Sequence, residues 1–176
     1  MVAVLDHLNI QKADFLGYSM GSLMGAHLLA RNSDRFNSMV LGGIGNETTE
    51  SAALGTVIEQ ALLAQSSEQV QSSVGKMVRQ FAQAQPGNDL TALAYSAAKM
   101  WPEGYPLQIA GDGIGNAQFP VLVVNGEDDH PYVDSADEFV ETLPNGKHVR
   151  LPGVDHLTAV ADARFKKAVL DFLSEG

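Results

Sequence analysis

A serine set between two glycines, a pair of adjacent aspartates and a late histidine are the residues of this 176-residue chain whose types could cooperate in chemistry. Ser19 stands in Gly17-Tyr18-Ser19-Met20-Gly21, after a short apolar run and before a helical pattern. Such spacing lets a serine occupy a sharp strand-to-helix turn. The turn lifts the hydroxyl clear of the backbone and aims the next N–H, that of Met20, at a reacting carbonyl. Side chains in place of Gly17 and Gly21 are expected to crowd the turn and the packing of the helix on its strand. Attack by serine needs a base for its proton, and a histidine base needs a carboxylate to fix its tautomer and stabilise its charged form. Asp128 or Asp129, and then His156, supply those groups in the order Ser, Asp, His.

The elements that must position these groups can be read from periodicity. Residues 14–18, 38–44, 121–125 and 147–151 are short apolar runs bounded by turn residues, which predicts strands. Helical patterns over 2–9, 20–31, 134–143 and 159–174 alternate with them, which indicates an α/β domain with a mostly parallel sheet. In such a sheet the reacting groups collect beyond the carboxyl ends of the strands. Ser19 follows the 14–18 strand, the aspartates follow 121–125, and His156 follows the last strand. On the 20–31 helix, Met20, Leu23, Met24, His27 and Leu28 form the expected packing stripe, with Gly21 and Gly25 allowing close approach to the sheet. His27, His7 and His148 read as structural.

From about 47 to 110 the pattern changes to three helical segments without an obvious strand. Leu54, Val57, Ile58, Ala61 and Leu62 share one face. Val70, Val74, Met77, Val78 and Phe81 share another, with Ser66 and Gln69 spaced for a capping box. Asn88 or Asp89 can cap a third helix carrying Leu90, Leu93, Ala97 and Trp101. This insertion either packs on itself or roofs a pocket. Gly42-Gly43-Ile44-Gly45-Asn46 lacks the Gly-Lys-Ser/Thr ending of a phosphate loop. Residues 112–116 lack the oxygen series and terminal glutamate of a calcium loop, and read as a turn.

Composition excludes several functions. The net charge of −10 repels nucleic acid and anionic membrane surfaces on average. The Arg164, Lys166, Lys167 group reads as a solvated helix face. With no cysteine there are no disulfides, thiolate metal sites or cysteine nucleophile. No apolar run approaches the roughly 20 residues that span a bilayer, and the first residues lack the basic region of a signal peptide. One soluble, cytoplasmic domain is the expectation.

On these motifs the chain resembles the α/β-hydrolase superfamily, in particular its esterase, lipase and haloperoxidase-like members. Gly17-Tyr18-Ser19-Met20-Gly21 resembles the nucleophile elbow, residues 120–129 resemble the acid strand and loop, and residues 151–156 resemble the histidine loop. Leu5-Asp6-His7-Leu8-Asn9-Ile10 is similar to the helix that precedes the elbow strand. The resemblance implies Asp129, the third residue after Gly126, as the carboxylate rather than Asp128. His130 and Asp155 fall outside the family positions. What it implies is a serine hydrolase for small esters without metal or organic cofactor. Dehalogenase chemistry would put an aspartate at position 19, whereas C–C bond, thioester and perhydrolytic chemistry share the triad. The alternative is a degenerate hydrolase fold used for binding or assembly.

The family fold starts with strands and helices that precede the first helix here, so a truncated or minimal form is expected, with about four strands. The loop that gives the family its second oxyanion N–H belongs to that preceding part, which leaves the Met20 N–H as the assignable donor. The 14–18 strand then lies at an edge, and a homodimer covering that edge is expected.

Overall fold

The computed structural model describes residues 1–46, 51–100 and 111–175. The chain divides into two compact units, Met1–Glu47 with Pro106–Gly176, and Thr48–Tyr105. In chain order the main elements are α1 (Val2–His7), β1 (Ala13–Tyr18), α2 (Met20–Arg31), β2 (Phe36–Gly42) and α3 (Ser51–Leu63). Then come α4 (Ser73–Ala84), α5 (Leu90–Met100), β3 (Val121–Gly126), α6 (Tyr132–Glu141), β4 (Gly146–Leu151) and α7 (Ala163–Ser174).

The first unit is built on four parallel strands in the order β1-β2-β3-β4. This is the reduced α/β-hydrolase arrangement anticipated from the motifs. Every residue of β3 is buried, as a central parallel strand covered on both faces requires. On one face Val40, Leu122, Val124 and Leu151 pack with Phe165, Val169 and Phe172 of α7. Full burial of each large apolar side chain is worth about 1.5–3 kcal/mol, so this stripe anchors α7. Asp162 caps that helix by accepting from the Arg164 N–H, and hydrogen bonds from the Arg164 side chain and N–H hold the Asp162 carboxyl down to about 2. The other face receives α2, where a side chain on Gly25 would collide with Leu41 and Phe15.

The face that α2 buries differs from the expected stripe. Ser22, Leu23, Gly25, Ala26 and Leu29 are inside, whereas Met20 and Met24 are about half exposed and His27 and Leu28 lie at the margin. The small residues win because they let the helix axis approach the sheet, which puts the bulkier flank outside. Helix α1 buries none of its residues. Arg35 tethers its region, through Asp6 at 2.7 Å and the carbonyls of Ile10 and Gln11.

In the second unit Ile58, Ala61 and Leu62 of α3 are buried as expected. Three details differ. Helix α4 is capped by Ser72, whose Oγ accepts from the Gly75 N–H at 3.2 Å, while Ser67–Gln69 forms a separate 3-10 turn and Val70 lies outside the helix. Phe81 is exposed, and Arg79 is buried instead, its guanidinium donating to the Ala61 and Leu62 carbonyls at the end of α3. A cation is favoured there because those carbonyls lack helical partners. Asp89 caps α5 through the Thr91 and Ala92 N–H groups, and Leu93 is exposed. Trp101 lies outside the described residues. Residues Gly111–Asn116 form a 3-10 turn. Among the described residues no helix is long and apolar enough to cross a membrane, and no group of three or more His, Asp or Glu is placed to hold a metal ion.

Candidate active site

Strand β1 ends at Tyr18 and helix α2 begins at Met20, so Ser19 must turn the chain within one residue. It does so at φ 53°, ψ −117°, a conformation that costs a non-glycine residue roughly 1–3 kcal/mol. The surroundings hold it there. The Ser19 N–H donates to the Gly42 carbonyl of β2 at 2.8 Å, and the buried Ser22 hydroxyl lies 2.9 Å and 2.7 Å from the Gly17 and Gly42 carbonyls. Gly17 is required by space, since a Cβ would stand 2.5 Å from the backbone carbon and oxygen of Gly21. Gly21 is not. A Cβ there meets nothing within 4 Å, which corrects the expectation that both glycines relieve crowding.

Ser19 occupies the N-cap position of α2, where a serine ordinarily accepts a hydrogen bond from the first turn. Its side chain makes no such bond. Its Oγ instead lies 2.8 Å from His156 Nε2, and His156 Nδ1 lies 2.8 Å from Asp129 Oδ1. A carboxylate only accepts, so Nδ1 carries the proton toward Asp129 and Nε2 is left to accept from the serine hydroxyl. Asp129 is 1% exposed, whereas Asp128 is exposed and uses its N–H to bind the Val154 carbonyl. The other Asp129 oxygen is buried without a partner among the described residues, so the carboxylate is committed to His156. The three residues singled out from the sequence are thus brought into one hydrogen-bonded chain.

The acid and histidine loops are joined through their backbones. Glu127 N–H donates to the Leu151 carbonyl at 2.9 Å and Asp128 N–H to that of Val154 at 3.1 Å. Gly126 permits this, since a Cβ there would fall 2.0 Å from the Val154 oxygen. Asp155 shapes the turn after the histidine. Its carboxylate accepts from the Thr158 hydroxyl and from the Thr158 and Leu157 N–H groups, which hold it below the usual carboxylate range. The His156 ring is close to two aromatic rings, 5.3 Å from that of Tyr18 and 4.9 Å from that of Tyr132. Gly43, at φ +61°, leaves room for it, since a Cβ there would stand 2.9 Å from His156 Cε1. Sequence reasoning set Gly42-Gly43 aside as a non-phosphate loop; two adjacent glycines at a strand end were the available sign of a close approach.

The other candidates lie elsewhere. His130 is exposed and paired with Asp134, which raises its pKa, and His7 is exposed on α1. His148 bonds Asp137 and Asn125, joining β4 to α6 and β3. Met20 is the first residue of α2, so its N–H has no carbonyl one turn earlier within the helix. A cavity of about 870 Å³ lies at the amino-terminal ends of the strands, bordered by Asp14, Ser38, Gly146 and Lys147 and by none of the three chained residues. Chemistry, and not cavity size, locates the site.

The model of the alpha/beta hydrolase fold family matches residues 1–93, more than half of the chain, and the protein belongs to that family. Among solved structures, a hydrolase from Pseudomonas aeruginosa is 22% identical with a TM-score of 0.73, the match covering 98% of this chain and 68% of that one. The enol-lactonase of Burkholderia xenovorans is 23% identical with a TM-score of 0.72, over 98% of this chain and 70% of its own. A meta-cleavage product hydrolase from Pseudomonas fluorescens is 22% identical with a TM-score of 0.64, covering 99% and 69%. At these identities the likeness is one of fold. No curated protein matches the chain.

Proposed function

We propose that the protein is a serine hydrolase that cleaves small carboxylic esters through an acyl-enzyme. The observation that carries this reading is the unbroken chain from Ser19 Oγ through His156 to the buried Asp129, with both links at 2.8 Å. Ser19 attacks the ester carbonyl carbon as His156 Nε2 takes its proton. His156 then returns that proton to the leaving alkoxide, and water repeats the sequence to release the acid. Asp129 holds the Nδ1–H tautomer and stabilises the imidazolium. The Met20 N–H stabilises the oxyanion. A lactone is a cyclic ester, so the enol-lactonase among the similar structures accords with the same acyl transfer.

A fluorophosphonate probe tests the reading, because it modifies a serine only when that serine is activated. Wild-type protein is expected to label and Ser19→Ala to remain blank. Wild type that stays unlabelled after long incubation would replace this proposal with the second one, a hydrolase fold retained for binding. That second reading draws on Met20 being the one oxyanion donor assigned among the described residues; removing one donor from such a site typically costs about 100- to 1,000-fold in turnover.

The proposal extends to a homodimer. Strand β1 pairs only with β2 in the described sheet, and Leu16 within it and Met20 just after it are 50% and 47% exposed. A second copy laid on this edge would pair the open backbone groups and cover both side chains. Sedimentation equilibrium is expected to return twice the chain mass, and a monodisperse monomer removes the dimer from the proposal.

A further inference from the structure

The residue before the nucleophile has a role that its position alone does not disclose. The Tyr18 hydroxyl donates to the main-chain carbonyl of His156 at 2.7 Å. The next residue, Ser19, meets the ring of the same histidine at Nε2. Two consecutive residues of the elbow therefore grip His156 at both ends, one by its backbone and one by its imidazole. Asp129 makes the third attachment, at Nδ1.

The phenol is itself held in place. Its ring packs edge-on against Phe165, with centroids 5.6 Å apart. It lies over Gly42 and Gly43, where added Cβ atoms would stand 2.5 Å from Tyr18 Cδ2 and 3.1 Å from Tyr18 Cζ. Burial, followed by the nearby Asp129 and Asp155 charges, pushes the Tyr18 phenol well above its ordinary value. The O–H consequently stays protonated and available as a donor. Hydrogen-bonded to a carbonyl, it has no part in proton transfer. What it can do is set where the histidine loop stands relative to the elbow.

The geometry points to Tyr18 as a positioning residue for His156, its hydroxyl fixing the histidine backbone so that Nε2 and Nδ1 face Ser19 and Asp129 together. This inference rests on the acyl-transfer reading for its kinetic consequence, and on hydrogen bonding alone for its structural one.

The test is Tyr18→Phe, which removes one oxygen and keeps the ring. With an activated ester, kcat is expected to fall about tenfold with KM unchanged, as for loss of one aligned hydrogen bond. Fluorophosphonate labelling should slow by the same factor. In a His156→Ala background the substitution should cost nothing further, because its only route of action is gone. Proton NMR gives a readout independent of turnover: exchange of the His156 Nδ1–H with solvent should rise about tenfold in Tyr18→Phe, by the same hydrogen-bond reasoning. Phe172→Leu, in the same α7 core stripe but at the amino-terminal ends of the strands, is the packing control, expected to lower the melting temperature while kcat is retained.

Wild-type kcat with unchanged Nδ1–H exchange in Tyr18→Phe overturns the inference. So does an equal loss of kcat in Phe172→Leu, or a loss in Tyr18→Phe that persists without His156. A wild type that never labels, yet loses Nδ1–H protection on Tyr18→Phe, sinks the hydrolase reading and leaves the positioning role standing.

Discussion

Replacing Asp129 by asparagine is expected to lower ester turnover by about 10⁴-fold, while Asp128→Asn leaves it unchanged. The two residues are neighbours of identical chemistry, so the contrast isolates geometry. Asp129 is buried and receives the His156 Nδ1–H at 2.8 Å, whereas Asp128 is exposed and takes part in the site only through its backbone N–H. An amide at position 129 can present an N–H to Nδ1, which favours the opposite tautomer and leaves Nε2 protonated, unable to accept from Ser19. The negative charge that stabilises the imidazolium is lost as well. Neither effect depends on unfolding, so the melting temperature should change far less than the rate. Steady-state kinetics with a chromogenic ester, beside melting curves, checks this. Equal rate losses in both variants would mean that the carboxylate has been misassigned.

The second large effect concerns stability. Gly17→Ala is expected to destabilise the protein by about 3 kcal/mol, and Gly21→Ala to leave stability unchanged or raise it slightly. A methyl group on Gly17 would face the Gly21 carbonyl carbon and oxygen at 2.5 Å and the Ser22 nitrogen at 2.8 Å, all of them backbone atoms. Backbone cannot swing aside as a side-chain tip can, so β1 and α2 would have to separate or the turn at Ser19 would have to open. At Gly21 the space is empty, and alanine is favoured over glycine in a helix by roughly 0.5–1 kcal/mol. Urea unfolding midpoints of the two variants measure the difference. Comparable losses at both positions would show that the turn is crowded on its helix side too.

The parts legible in the sequence were those where local pattern and chemistry agree. The apolar run ending at Tyr18, the forced turn at Ser19 and the helix after it required no knowledge of the rest of the chain. The acid and histidine were legible because each follows a strand, and parallel strands bring their carboxyl ends together. What escaped depended on distance in space rather than on pattern. The buried face of α2 follows its small residues, since closeness to Leu41 and Phe15 decides it, and hydrophobic spacing alone pointed to Met20 and Met24 instead. The start of α4 is set by Ser72, although Ser66 and Gln69 carry the better local spacing. Arg79 appears as a charge on a helix, and only the bare carbonyls at the end of α3 explain its burial. The reach of Tyr18 to His156 joins residues on opposite edges of the sheet, and local sequence carries no sign of it.

The pairing of β2 with β3 joins Met39 to Val121, residues between which, in sequence, the whole second unit falls. Closing a chain loop becomes harder only with the logarithm of its length, each doubling adding about 0.6 kcal/mol. Ser19 is placed by strands before that span, and Asp129 and His156 by strands after it. Loop closure alone therefore sets only a small energetic expense on lengthening or shortening the intervening segment. The three reacting groups need not drift with it.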